Sequence, residues 1–114
     1  MASRTVPADV LDDIVRRIVA VADPDKIILF GSAARGEMRL SSDLDLLVVK
    51  SGVPHRGRLT EEIYMGLSGV GRAADIIVVT PEDIERYRDV HATVIKPAIR
   101  EGRVIYEREA ATTG

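Results

Sequence analysis

Residues 31 to 45, GSAARGEMRLSSDLD, carry two aspartates two positions apart, Asp43 and Asp45, at the entry to the apolar run LDLLVV. Aspartate is depleted in strands, so the placement needs a reason. Side chains alternate along a strand, which puts Asp43 and Asp45 on one face with Leu47 and Val49, and Leu44, Leu46 and Val48 on the other. Strand rise separates the two Cα atoms by about 7 Å, near enough for their oxygens to converge on one cation. A third carboxylate, Asp75, opens the apolar run DIIVV and joins the pair if that strand lies beside the second one. Two carboxylates about 5 Å apart at an effective dielectric near 20 repel by about 3 kcal/mol, and a third adds to that. Neither 43–49 nor 75–79 contains Lys or Arg, so a bound cation or a captured proton must offset the charge. An all-oxygen donor set without His or Cys suits Mg²⁺ or Mn²⁺ better than zinc.

The other half of the stretch supplies a place for an anion. Gly31 ends an apolar run and Ser32 begins a tight turn, which leaves backbone N–H groups exposed. Glycine lets a phosphate approach the backbone closely, and a short helix start adds favourable partial charge. A phosphate cradle beside a divalent-metal carboxylate cluster is the equipment of phosphoryl or nucleotidyl transfer.

These residues need a sheet to hold them. Val10, Leu11, Ile14, Val15, Ile18 and Val19 form a helical stripe over 8–22, with Asp12, Asp13, Arg16 and Arg17 opposite. Pro7 suits its first turn, and Asp23-Pro24 ends it. IILF (27–30), LDLLVV (44–49) and DIIVV (75–79) read as strands, and residues 32–36 as a brief helical turn. Leu59, Ile63, Leu67 and Val70 mark a second long helix, weakened by Gly66 and Gly69. Thr80-Pro81-Glu82-Asp83 has the composition of a helix start: a cap, a proline and an acidic first turn. Val94, Ile95, Ala98 and Ile99 form a last stripe, which Pro97 makes late or kinked and Gly102 stops. RVIYE (103–107) is an expected edge strand. The order predicts an α/β (α+β) domain, a small mixed sheet flanked by helices, over 1–108, with 109–114 expected to be a disordered tail.

Composition narrows the function. The chain has 114 residues with 46% apolar and 30% charged, an ordinary globular balance for one modest core. It has no cysteine, which removes disulfides and thiolate metal sites. No apolar run approaches the length of a membrane span and the N-terminus lacks a signal-peptide core, so a soluble cytoplasmic protein is expected. With a net charge of −2, no Trp and one Phe, it lacks both the basic excess and the stacking aromatics of independent nucleic-acid binding.

Gly-Ser, ten residues, then D-x-D (Gly31, Ser32, Asp43, Asp45) resembles the signature of the polymerase-β-type nucleotidyltransferase superfamily. GSAARG…SDLDLLVV and the short length resemble its smallest members, the minimal nucleotidyltransferase (MNT) proteins. DIIVVTPED is similar to the segment with the superfamily's third acid, which maps onto Asp75. The resemblance spans about residues 26 to 80, about half the chain. Many relatives carry an Arg soon after GS. Ala33 stands there and Arg35 follows, a departure from that pattern.

The resemblance implies the polymerase-β-like fold and a mechanism. Asp43, Asp45 and Asp75 are then the catalytic and metal-holding acids for two Mg²⁺ ions (or Mn²⁺), and Gly31 and Ser32 bind the nucleotide, ATP. Asp75 helps to deprotonate the acceptor hydroxyl. Only about 35 residues follow position 80, too few for a separate acceptor domain, so the acceptor is expected to bind in a shallow site or to arrive on a partner. MNT proteins of this size often pair with HEPN toxins, and some transfer AMP to a tyrosine of that toxin. The expected function is therefore a protein-adenylylating antitoxin. The alternative is an antitoxin that silences its partner by binding alone. A nucleotide-sugar transferase would also use D-x-D but needs a much larger domain and leaves the Gly-Ser unexplained, and an aminoglycoside acceptor lacks a binding domain. Arg35, Arg39, His55 and His91 read as surface residues, and Tyr64, Tyr87 and Tyr106 as packing at the core's edge.

Overall fold

The computed structural model describes residues 7–31, 34, 44–90 and 95–108. The first stripe is a helix, α1 (Ala8–Ala22), and Pro7 is its N-cap, one residue outside the first turn. Leu11, Ile14, Ile18 and Ala22 are buried, with Val10 and Val15 partly buried beside them. Burying each Leu or Ile is worth about 1.5–3 kcal/mol, which holds this helix to the sheet. Asp13 on the opposite face pairs with Arg16 and Arg17. Asp23 ends the helix in the left-handed region (φ 46°), donating its N–H to the Val19 carbonyl at 3.0 Å, and Pro24 forbids a further turn.

The strands are β1 (Lys26–Phe30), β2 (Leu44–Val49), β3 (Ala74–Val79) and β4 (Arg103–Glu107), in the order β3-β2-β1-β4. β1 is antiparallel to β2 and to β4, whereas β2 and β3 are parallel. The expected mixed sheet is therefore present, with RVIYE at one edge. One face carries Ile27, Leu29, Leu44, Leu46, Val48, Ile76 and Val78 under α1 and the helix that follows β2. The other carries Ile28, Phe30, Leu47, Val49 and Val79 and packs against Ile95 and Ala98. Strands covered on both faces read as continuous apolar runs, as β1 and β2 do.

The second helix, α2 (Arg56–Gly66), ends four residues before Val70, the last position of its stripe. Leu67 is buried but belongs to a turn, and Gly69 and Gly71 adopt φ +87° and +79°, conformations that other residues resist. Gly66 has a role besides weakening the helix. A Cβ there would stand 2.8 Å from Val21 Cγ2, so its absence lets α1 and α2 close together. Arg17 then donates to the carbonyls of Gly66 (3.3 Å) and Ser68 (2.9 Å), satisfying acceptors that a helix end leaves open.

The short helix α3 (Pro81–Tyr87) starts with the expected cap. Asp83 N–H donates to Thr80 Oγ1 at 3.1 Å, and Thr80 N–H donates to Asp83 Oδ2 at 3.0 Å. Arg56 adds an ion pair to the same carboxylate at 2.6 Å. Burial pushes the Asp83 carboxyl up, but the Thr80 N–H and the Arg56 guanidinium together hold it below its ordinary 3.8. A depressed folded-state value gives stability that is present above 3.8 and lost as the pH falls through the lower folded value. Asp83→Ala is thus expected to cost about 1 kcal/mol near neutrality, with the difference from wild type shrinking below pH 3.8 in acid-unfolding curves.

The last described helix, α4 (Ile95–Glu101), has Pro97 at its third residue. Gly102 follows it and accepts no side chain: a Cβ would overlap the Ala98 carbonyl oxygen and come within 2.5 Å of Ile28 Cγ2. Gly102→Ala is expected to destabilise by about 1–3 kcal/mol, the scale of overpacking, seen as a lower thermal midpoint with unchanged circular dichroism.

Candidate functional site

The apolar strands carry two acids, and topology brings them together. Asp45 pairs with Asp75 in the parallel β2–β3 register, so both side chains leave the same face of the sheet on strands about 4.8 Å apart. That face is the one bearing Phe30, Leu47 and Val49, because Asp45 alternates with Leu44 and Leu46, which point to the α1 side. Asp45 is half-buried, the one position of β2 that is not fully buried. Asp75 is exposed. The adjacency of β2 and β3, an inference from the sequence, is thereby observed.

Gly31 completes the geometry from the end of β1. Phe30 pairs with Asp45 across the β1–β2 ladder, so the residue after β1 turns directly over the Asp45 side chain. Gly31 adopts φ +74°, and a Cβ on it would overlap Asp45 Oδ2 and lie 3.2 Å from Cγ. The carboxylate fills the space that any other residue would need. Glycine is thus required twice here, for its conformation and for the close approach.

Three of the five site residues singled out in the sequence, Gly31, Asp45 and Asp75, meet at one end of β1, β2 and β3. Ser32 and Asp43 lie outside the described residues, as do Arg35, Arg39, His91 and the tail 109–114. Among the described residues no group of three His, Cys, Asp or Glu gathers as a metal site. Asp45, half-buried, and Asp75, exposed, are an all-carboxylate pair, a donor set that fits a hard divalent cation. Other aspartates of the sheet's surroundings are paired with cations. Asp13 takes Arg16 and Arg17, Asp83 takes Arg56, and Asp23 and Asp25 take Arg108. Asp75 makes no ion pair among the described residues.

One contact near the site left no trace in the sequence. Tyr64 is exposed rather than packed at the core's edge, and its hydroxyl accepts the Ile76 N–H at 2.9 Å. The two residues are twelve positions apart, and no local pattern links them. His55, by contrast, is exposed at the start of α2, and Tyr87 and Tyr106 pack against the two halves of the core.

The family profile for polymerase beta nucleotidyltransferases matches residues 13–111. The chain belongs to that family. No curated protein sequence is significantly similar to it. Solved nucleotidyltransferase-like folds do match. A Sulfolobus solfataricus protein with a provisional nucleotidyltransferase assignment is 19% identical, with TM-score 0.61, over 88% of this chain and 79% of that one. A toxin–antitoxin solved with AMP-PNP is 17% identical, with TM-score 0.55, over 87% and 74%. A mutant of the toxin–antitoxin MntA-HpeT, with two aspartate-to-glutamate changes two positions apart, is 15% identical, with TM-score 0.54, over 87% and 74%. At these identities the structural likeness establishes the fold of this nucleotidyltransferase family member. No described helix is long and apolar enough to cross a membrane.

Proposed function

We propose that this nucleotidyltransferase acts in the cytoplasm as the antitoxin of a toxin–antitoxin pair, transferring AMP from ATP to a hydroxyl of a HEPN-type toxin. The observation that carries the catalytic reading is the register of Asp45 with Asp75 on one sheet face, beside a glycine whose backbone conformation and close contact with Asp45 both exclude a side chain. Family membership supports the reaction class. The toxin–antitoxin neighbours, one solved with an ATP analogue, support the partner and the nucleotide, as does the resemblance to MNT proteins.

In this reading Asp45 and Asp75, with Asp43, hold two Mg²⁺ ions. When bound, these supply positive charge to the triphosphate and to the charge that develops in transfer. Gly31 holds the end of β1 close against the Asp45 carboxylate, so that its backbone, with Ser32 and nearby N–H groups, binds the terminal phosphates. Asp75, exposed at the edge strand, faces the incoming acceptor and takes its proton. The acceptor oxygen forms a bond to the α-phosphorus as the bond to pyrophosphate breaks. ATP labelled at the α-phosphate, Mg²⁺ and a HEPN-type candidate partner test this directly. Label on a tyrosine of the partner is expected, whereas the same label from γ-labelled ATP, or none from either, overturns it. A chain lacking Asp43 and Asp45 that still neutralises the partner would favour silencing by binding alone.

A further inference from the structure

We propose that Tyr64 is a positioning residue for Asp75, holding the peptide that follows it from outside the sheet. This rests on the reading of Asp75 as a metal-holding carboxylate. β3 is an edge strand, with β2 as its one neighbour. In the parallel ladder Leu44 N–H donates to the Ala73 carbonyl and Lys50 N–H to that of Val79, so the odd-numbered residues of β3 face β2. Alternation then turns the Ile76 N–H outward, where an edge strand has no ladder partner. The Tyr64 hydroxyl occupies that position at 2.9 Å. The peptide joining Asp75 to Ile76 is therefore gripped on both sides although its strand is paired on one.

The anchor itself is fixed. Tyr64 lies in the last turn of α2, whose end is bound by Arg17 of α1 through the Gly66 and Ser68 carbonyls. A line of hydrogen bonds thus runs from α1 through the end of α2 to the backbone beside Asp75. Asp75 needs such support because it is the second residue of its strand, and strand ends open locally before strand centres do. Tyr64 is 43% exposed, so its burial does not explain the hydroxyl. A ring without oxygen would serve packing equally well.

Tyr64→Phe removes the hydroxyl and keeps the ring. Its effect is read by exchange of the Ile76 amide in NMR and by Mn²⁺ binding, from the electron-paramagnetic-resonance signal of free Mn²⁺ with AMP-PNP present. The Ile76 amide is expected to exchange about five-fold faster and Mn²⁺ to bind about five-fold more weakly, the scale of one hydrogen bond. In an Asp75→Asn background the same change is expected to leave Mn²⁺ affinity where Asp75→Asn put it. Gly52→Ala controls for stability alone, since Gly52 has φ +69° and nothing within 4 Å of a Cβ. It is expected to lower the thermal midpoint without altering Mn²⁺ affinity. If Asp75→Asn weakens Mn²⁺ binding and Tyr64→Phe does not, the positioning role is overturned and the reading of Asp75 stands. If Asp75→Asn leaves Mn²⁺ binding unchanged, both fall.

Discussion

Asp45→Asn is expected to lower nucleotidyl transfer by about 10³-fold, corresponding to about 4 kcal/mol of transition-state stabilisation of the kind a bound metal supplies. The substitution keeps the shape of the side chain and removes its charge. Asp45 shares a register position with Asp75 and lies against Gly31, so its charge faces both the other acid and the place proposed for phosphate. Because asparagine fits the same space over Gly31, the thermal midpoint of the free protein is expected to stay within a few degrees of wild type. Ligand response separates the two proteins further. Mg²⁺ with AMP-PNP is expected to raise the melting temperature of the wild type, as any ligand of the folded state does, and to leave that of Asp45→Asn nearly unchanged. A variant that transfers nucleotide within ten-fold of wild type would remove Asp45 from the chemistry.

Gly31→Ala should damage both stability and activity. At φ +74° a Cβ is disfavoured by about 1–2 kcal/mol, and here it also collides with the Asp45 carboxylate. The two penalties together are expected to lower the melting temperature by roughly 5–15 °C for a domain of this size. The collision can be relieved only by turning the carboxylate away or by moving the end of β1. A displacement of about 1 Å at a reacting centre can cost about 10²-fold in rate, and that loss is expected in transfer assays run well below the lowered midpoint. Gly52→Ala separates the causes: it has the same left-handed backbone and open space around it. It should therefore show the backbone part of the stability loss and keep wild-type activity. Equal activity losses in the two variants would mean that the contact between Gly31 and Asp45 has no part in function.

Much of this architecture was legible in local patterns, because local physics produced it. The stripe Leu11-Ile14-Ile18, the apolar runs of β1, β2 and β3, and the Thr80–Asp83 capping box each act within a few residues. The family resemblance rested on the same kind of signal, a spacing of Gly-Ser and D-x-D. What remained hidden involves distant partners. Nothing near Gly66 shows that Val21 will press against it, so the residue looked like a defect in a helix when it is the close point between two helices. The stripe to Val70 overran the helix because Leu67 is buried equally well from a turn. The sequence marks Gly31 for phosphate, yet its contact with Asp45 depends on the antiparallel register of β1 and β2. Tyr64 could not be read at all, since its partner is a backbone N–H on another element.

The most direct measurement is anomalous diffraction from crystals grown with Mn²⁺ and AMP-PNP. An anomalous peak within about 2.5 Å of carboxylate oxygens of both Asp45 and Asp75, with the phosphates of the nucleotide toward Gly31, is the expected result. Mn²⁺ bound elsewhere on the chain, with both carboxylates free of metal, would contradict it.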